Sequence, residues 1–224
     1  MAHEFLVIEI VLWIITMVIL GAGSIGILRI YRKDESKYSL GVALFLFLFL
    51  IARISVFFLV YSYGYDGTQQ YLLPYPTLLW LQIGYNLFSY IGIFILYYVL
   101  ERYIIKTRFI FAILTLILLT LSLTNYFVPE NIFLYQVPFF IPVVLGFPAM
   151  YFYIASKSSG DVRKNSLIIA VGMIIFELGV VFAIPNAQAT LLSSMAPVIY
   201  ELLGPILHII GVILLYMGYS RHSA

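Results

Sequence analysis

Residues 41–60 read GVALFLFLFLIARISVFFLV, and a single arginine, Arg53, interrupts an otherwise apolar run. A helix of roughly 20 residues, rising about 1.5 Å per residue, crosses the hydrocarbon core of a bilayer, which is about 30 Å thick. The rest of the chain contains six more runs of comparable length, so we predict an all-α bundle of seven transmembrane helices. The predicted spans are residues 5–29, 39–62, 77–100, 109–127, 134–156, 166–184 and 196–219.

The composition agrees with an integral membrane protein. The 224 residues are 63% hydrophobic and only 10% charged, whereas soluble domains carry about 25% charged residues. Because the predicted spans use almost the whole chain, we expect one seven-helix transmembrane domain over residues 1–224. The first run follows Glu4, contains Glu9 and has no basic leader, so we expect it to remain as a helix and not to be a cleaved signal.

The basic residues predict how the helices are oriented. All but one of the twelve lysines and arginines lie after predicted helices 1, 3, 5 and 7, and the gaps between 2 and 3, 4 and 5, and 6 and 7 contain none. Since cytoplasmic loops are enriched in Lys and Arg, the N-terminus is expected outside and the C-terminus in the cytoplasm of a multi-pass cell-membrane protein. The positive charges behind the net charge of +2 thus lie along one membrane face. We therefore expect the lipid bilayer as a partner and no nucleic acid.

Ionisable side chains inside the predicted spans are the strongest functional signal. An ionised side chain at the centre of a membrane helix costs about 2.5–3.5 kcal/mol on insertion scales, so such residues pair with one another or reach water. We therefore expect Arg53 to pair with Glu177 or Glu201 in an outward-opening, hydrated cavity, although a structural ion pair between helices is the simpler alternative. The predicted cluster comprises Glu9, Arg53, Gln82, Asn86, Glu177, Glu201 and His208.

Prolines mark helices 5 and 7. Each interior proline removes a backbone donor and bends a helix, so both helices are expected to be kinked. The kinks either adapt the helices to their neighbours or provide a moving part next to the polar cluster. The residues concerned are Pro138, Pro142, Pro148, Pro197 and Pro205.

Several chemistries are disfavoured. The chain has no cysteine, which removes disulfides and thiolate catalysis. Every lysine lies in a predicted cytoplasmic gap, so a buried lysine for a retinal Schiff base is missing and His208 occupies the middle of helix 7 instead. With three histidines, of which one is predicted to be buried, no metal site is expected. We therefore predict no enzymatic activity, no metal and no cofactor.

Residues 80–103, WLQIGYNLFSYIGIFILYYVLERY, together with Leu123-Thr-Asn125 and Ile184-Pro-Asn186, resemble the seven-helix sensor region at the N-terminus of prokaryotic histidine kinases. The resemblance extends over the whole chain through hydropathy and a few polar residues. It implies a stand-alone sensor, because the sequence ends at Ala224 without a kinase, and such a sensor signals through a separate cytoplasmic protein.

Glu101-Arg102-Tyr103, at the predicted inner end of helix 3, is also similar to the acid-Arg-Tyr motif of rhodopsin-class G-protein-coupled receptors. The extracellular cysteine pair and the helix 7 signature of those receptors are missing. We interpret Arg102 as a charge that orients the helix in the membrane, with Glu101 as its neighbour.

The sequence thus leads to one main hypothesis and two alternatives. The main one is a receptor-like sensor that binds a small ligand, lipid or ion in the outward-facing cluster. A small transporter or a proton or ion pathway would use the same acids as relays. A structural subunit would use the cluster only to hold its helices together.

Overall fold

The computed structural model describes residues 2–61, 74–128, 133–183 and 197–220, and within these ranges it contains seven α-helices and no strand. A five-residue π-helix, Glu101–Ile105, continues the third helix at its C-terminal end. The helices are α1 (Ala2–Asp34), α2 (Lys37–Tyr61), α3 (Tyr75–Leu100), α4 (Ile110–Thr124), α5 (Phe133–Lys157), α6 (Gly160–Ala183) and α7 (Pro197–Ser220).

The all-α prediction is confirmed, and each predicted span coincides with one helix. Six helices are long and apolar enough to cross a membrane, and α4, with 15 residues, is shorter. The largest differences are that α1 continues to Asp34 and that α6 begins at Gly160. Most residues of both extensions are polar, and hydropathy excludes such segments from a span although they form helix outside the hydrocarbon.

The helices divide into two compact units, Met1–Ser39 with Val144–Ala224, and Leu40–Val143. We call these the first and the second unit. The division falls within α5, so its N-terminal part belongs to the second unit and its C-terminal part to the first.

In the first unit α7 packs against both α6 and α1. Helices α6 and α7 are antiparallel and so close that a Cβ atom at Gly211 would lie 2.7 Å from the backbone nitrogen of Phe176. Small residues allow this approach between membrane helices. Helices α1 and α7 run in the same direction, because Thr16 contacts Pro205 and, further along both helices, Gly26 faces Tyr216.

The second unit is organised around α3. Helix α2 packs antiparallel to it, since a Cβ atom at Gly92 would lie 3.4 Å from the carbonyl oxygen of Phe45 while Gly84 faces Ser55 near the opposite end of the contact. Helix α4 forms an antiparallel hairpin with α3 through stacking of Tyr97 on Phe111, with ring centroids 5.3 Å apart.

Candidate functional site

The predicted site residues are distributed over both units. The second unit holds Arg53, Gln82 and Asn86, whereas the first holds Glu9, Glu177, Glu201 and His208. The predicted ion pair between Arg53 and Glu177 or Glu201 joins residues of different units and stays a prediction. The side chain of Glu201 lies outside the described part of the structure.

Arg53 is almost completely buried, with 2% of its surface exposed. Its guanidinium carbon lies 4.7 Å from the centroid of the Phe49 ring and 5.9 Å from that of Tyr85. Phe49 is one helical turn before Arg53 on α2, while Tyr85 comes from α3. Aromatic faces attract a guanidinium electrostatically, and the attraction strengthens when the group is desolvated. Helices α2 and α3 therefore each place an aromatic ring next to the guanidinium.

Helix α3 also carries two of the predicted amides. Gln82 and Asn86 are half-buried and lie four residues apart, so they share one side of the helix. The side-chain amide of Asn86 donates a hydrogen bond to the hydroxyl of Tyr126, which follows α4. Tyr85, which contacts the guanidinium, directly precedes Asn86, but neighbouring residues of a helix point in different directions, and Asn86 is bonded toward α4.

His208 is the centre of the polar group in the first unit. Its side chain is fully buried, and Nδ1 donates a hydrogen bond to the carbonyl oxygen of Gly204 at 2.8 Å, which places a proton on Nδ1. The imidazole lies between the rings of Trp13 and Phe176, at centroid distances of 5.4 and 5.0 Å. Three helices, α1, α6 and α7, therefore enclose this ring.

Glu9 is connected to this group through α1. The indole Nε1 of Trp13 donates to a carboxylate oxygen of Glu9 at 3.4 Å, one turn apart on the helix. Thr16, on the same side of α1, is buried and its hydroxyl lies 2.8 Å from the carbonyl oxygen of Leu12 and 3.4 Å from that of Pro205. Because Glu9 contacts Trp13 and Trp13 contacts His208, the structure joins two of the predicted residues through one indole.

Glu177 lies on α6, directly after Phe176, whose ring contacts His208. It is half-buried. No hydrogen bond or ion pair to its carboxylate is recorded among the side chains that the structure describes. An acid in the apolar part of a membrane helix is a marker of proton or ion chemistry.

Glu101 has a role that the sequence analysis missed. Its carboxylate is 2% exposed and accepts hydrogen bonds from the backbone N–H groups of Phe111, at 3.1 Å, and Ala112, at 3.0 Å. The hydroxyl of Thr107 also donates to it. Glu101 therefore caps the N-terminus of α4, where orphan N–H groups and the helix dipole favour a negative charge. Arg102, its neighbour in the acid-Arg-Tyr triplet, is exposed.

A chain of three tyrosine hydroxyls in the first unit was also not predicted. Tyr38 donates to the hydroxyl of Tyr219 at 2.9 Å, and the hydroxyls of Tyr219 and Tyr151 are 2.9 Å apart. These contacts link the end of α7 to α5 and to the beginning of α2. Tyrosines at membrane-helix ends suggest only interfacial anchoring, so the sequence contains no signal for this chain of bonds.

Comparison with models of known protein families, with curated proteins and with solved structures finds no match for this chain. The resemblance to the sensor region of histidine kinases and the acid-Arg-Tyr similarity therefore stay predictions from the residues alone.

Proposed function

We propose that the chain is a seven-span membrane sensor with its N-terminus outside and its C-terminus in the cytoplasm. The parallel packing of α1 and α7 supports an odd number of crossings, because six alternating spans would leave the first and last helices antiparallel. Helix α4 is the seventh span in this proposal. Its 15 residues cover about 22 Å. Near its beginning Phe111 is bonded to Glu101, directly after α3, and just after its end Tyr126 is bonded to Asn86 of α3, so α4 lies along α3 over that length.

The orientation in the membrane follows from the basic residues. Arg102, Lys106 and Arg108 are exposed between α3 and α4, as expected for a cytoplasmic loop. A second exposed basic group lies where α1 ends and α6 begins, at Arg29, Arg32, Lys33, Lys37, Lys157, Arg163 and Lys164.

The single observation that carries the sensor proposal is the burial of Arg53 in the apolar sequence of α2. Intramembrane ionisable residues are expensive and mark ligand or ion sites. The ligand in this proposal is a small molecule, lipid or ion that enters from the outer side and contacts Arg53, Gln82 and Asn86. The acids and His208 of the first unit respond to binding, and a separate cytoplasmic protein receives the signal through the short inner loops.

A ligand screen on purified protein in lipid nanodiscs tests the proposal. Ligands that raise the midpoint of thermal unfolding of the wild-type protein are expected to lose this effect in Arg53→Leu. The matched control is Arg102→Leu, which removes an exposed arginine and is expected to preserve every shift. If Arg53→Leu responds to all ligands as the wild type does, the site is wrongly assigned.

Glu177 favours a second candidate, a proton or ion pathway. Its half-buried carboxylate lies in α6 next to Phe176, which touches His208, and acids in such positions act as proton relays. Flux into sealed liposomes separates the two candidates. Transport is supported if the wild-type protein carries protons or solute and Glu177→Gln abolishes the flux, whereas tight vesicles support sensing.

A further inference from the structure

Ser89 lies on the side of α3 that faces α2. Tyr85, Ser89 and Gly92 are spaced by four and three residues and therefore share one helix face. Tyr85 contacts Arg53 of α2, and Gly92 approaches the backbone of α2 at Phe45. Ser89, between these two contacts on the same face, is directed toward α2.

The guanidinium of Arg53 lies at the level of Ser89. Because α2 and α3 are antiparallel and the contacts pair Arg53 with Tyr85 and Phe45 with Gly92, Ser89 is opposite Phe49. The guanidinium carbon is 4.7 Å from the centre of the Phe49 ring, so the Arg53 side chain extends back by one turn along α2. The hydroxyl-bearing residue on α3 and the guanidinium from α2 thus lie at about the same level along the two helices.

The Ser89 hydroxyl has an unmet hydrogen-bonding capacity. The residue is 8% exposed, and its Oγ makes no hydrogen bond within the described part of the chain. Buried polar groups are nearly always hydrogen-bonded, so the Ser89 hydroxyl needs an explanation, and a bound molecule that accepts its hydrogen bond supplies one. A serine hydroxyl and a guanidinium both donate, so their common partner is an acceptor.

We propose that Arg53 and Ser89 together bind the oxyanion group, a carboxylate or a phosphate, of an amphiphilic ligand. A guanidinium binds such groups through charge-assisted hydrogen bonds. Phe49 is the middle residue of α2, about 18 Å from either end of that helix, and the aromatic rings of Phe49 and Tyr85 beside the guanidinium favour a ligand with an apolar body. This inference rests on the proposed sensor function and specifies the class of its ligand.

Binding of ten-carbon amphiphiles tests the ligand class. The protein is placed in phosphatidylcholine nanodiscs and titrated with decanoate, decyl phosphate, decanol and decylamine, with ¹³C in the decanoate carboxyl group. We expect decanoate to bind saturably with a shifted carboxyl resonance, or decyl phosphate to bind saturably. The compound that binds more tightly identifies the preferred head group. Decanol and decylamine are expected to bind only as they do to empty nanodiscs.

Substitution of Ser89 distinguishes a ligand contact from a packing role. Ser89→Ala removes a buried, unbonded hydroxyl, so the midpoint of thermal unfolding without ligand is expected to stay the same or rise. Affinity for the anionic amphiphile is expected to fall about tenfold, because a hydrogen bond to an ionised group is lost. Thr120→Ala is the matched control, since the Thr120 hydroxyl is exposed and bonded within α4.

Two results would overturn the inference. The first is that Ser89→Ala leaves the affinity for decanoate and decyl phosphate unchanged. The second is that decanol binds as tightly as decanoate. If Arg53→Leu then abolishes the binding of both compounds, the sensor site is supported and only the proposed anionic class of its ligand is wrong. If no ligand of a broad screen depends on Arg53, the proposed function fails as well.

Discussion

Gly179 of α6 and His208 of α7 are so close that a Cβ atom on the glycine would lie 2.6 Å from Nδ1 of the imidazole. The same hypothetical atom would be 3.0 Å from the carbonyl oxygen of Gly204, the acceptor of the His208 hydrogen bond. The missing side chain at Gly179 therefore provides the space in which the buried imidazole is held.

Gly179→Ala is expected to destabilise the first unit by about 1–3 kcal/mol, because the added methyl group must displace both the imidazole and the backbone of α7. Thermal unfolding in one lipid composition measures the effect. Gly84→Ala is the control, since its methyl group would meet Ser55 Oγ at an ordinary 3.5 Å. Equal stability of the two variants would show that α6 and α7 are not packed this closely.

The cap that Glu101 forms on α4 leads to a second prediction. Glu101→Gln loses the negative charge at the helix N-terminus and one of the acceptor oxygens, so we expect a loss of about 1–2 kcal/mol in the free energy of unfolding. Arg102→Gln, at the exposed neighbour, is expected to change it by less than about 0.5 kcal/mol. The opposite order of effects would mean that the triplet acts through its arginine and not through the cap.

The hydroxyl of Tyr219 is expected to stabilise the part of the first unit around the C-terminal end of α7. Tyr219→Phe removes the hydrogen bonds of this hydroxyl to Tyr38 and to Tyr151, so the buried Tyr151 hydroxyl loses its bond to residue 219. We expect a loss of about 1–3 kcal/mol, read from thermal unfolding. Tyr216→Phe, at an exposed position on the same helix, is the control, and an equal loss there would rule out the hydroxyl chain as the cause.

The seven-span topology predicts where a reporter fused to the C-terminus is found. A green fluorescent protein fused after Ala224 is expected to be fluorescent, and an alkaline phosphatase at the same position inactive, because the C-terminus is cytoplasmic in this topology. The reverse pattern would place the C-terminus outside and contradict this topology.

Hydropathy predicted the positions of all seven helices, because a run of about 20 apolar residues has few alternatives to a membrane helix. It did not predict which helices pack together. Lipid is as apolar as a helix interface, so the pattern of apolar residues does not mark the buried side. The contacts of His208 with Trp13 and Phe176 could therefore not be predicted from the sequence. Of the contacts at the candidate site, the one between Arg53 and Phe49, four residues apart on α2, follows from helical spacing.

The cap formed by Glu101 was missed for a different reason. The chain turns back from α3 to α4 through Lys106, Arg108 and Phe109, whose φ angles of 57°, 58° and 61° are left-handed. Glycine usually signals this conformation, and none of the three residues is a glycine. Without that signal, Glu101 looked like one more charge at the end of a helix.

The outward-opening cavity is the central claim, and thiol labelling of Asn86→Cys tests it most directly. The natural chain has no cysteine, so a charged, membrane-impermeant thiol reagent reports on this single position. We predict labelling when the reagent is added outside intact cells, and none for Leu116→Cys on the exposed apolar side of α4. Failure of Asn86→Cys to react from outside, while it reacts after the membrane is opened, would contradict the cavity.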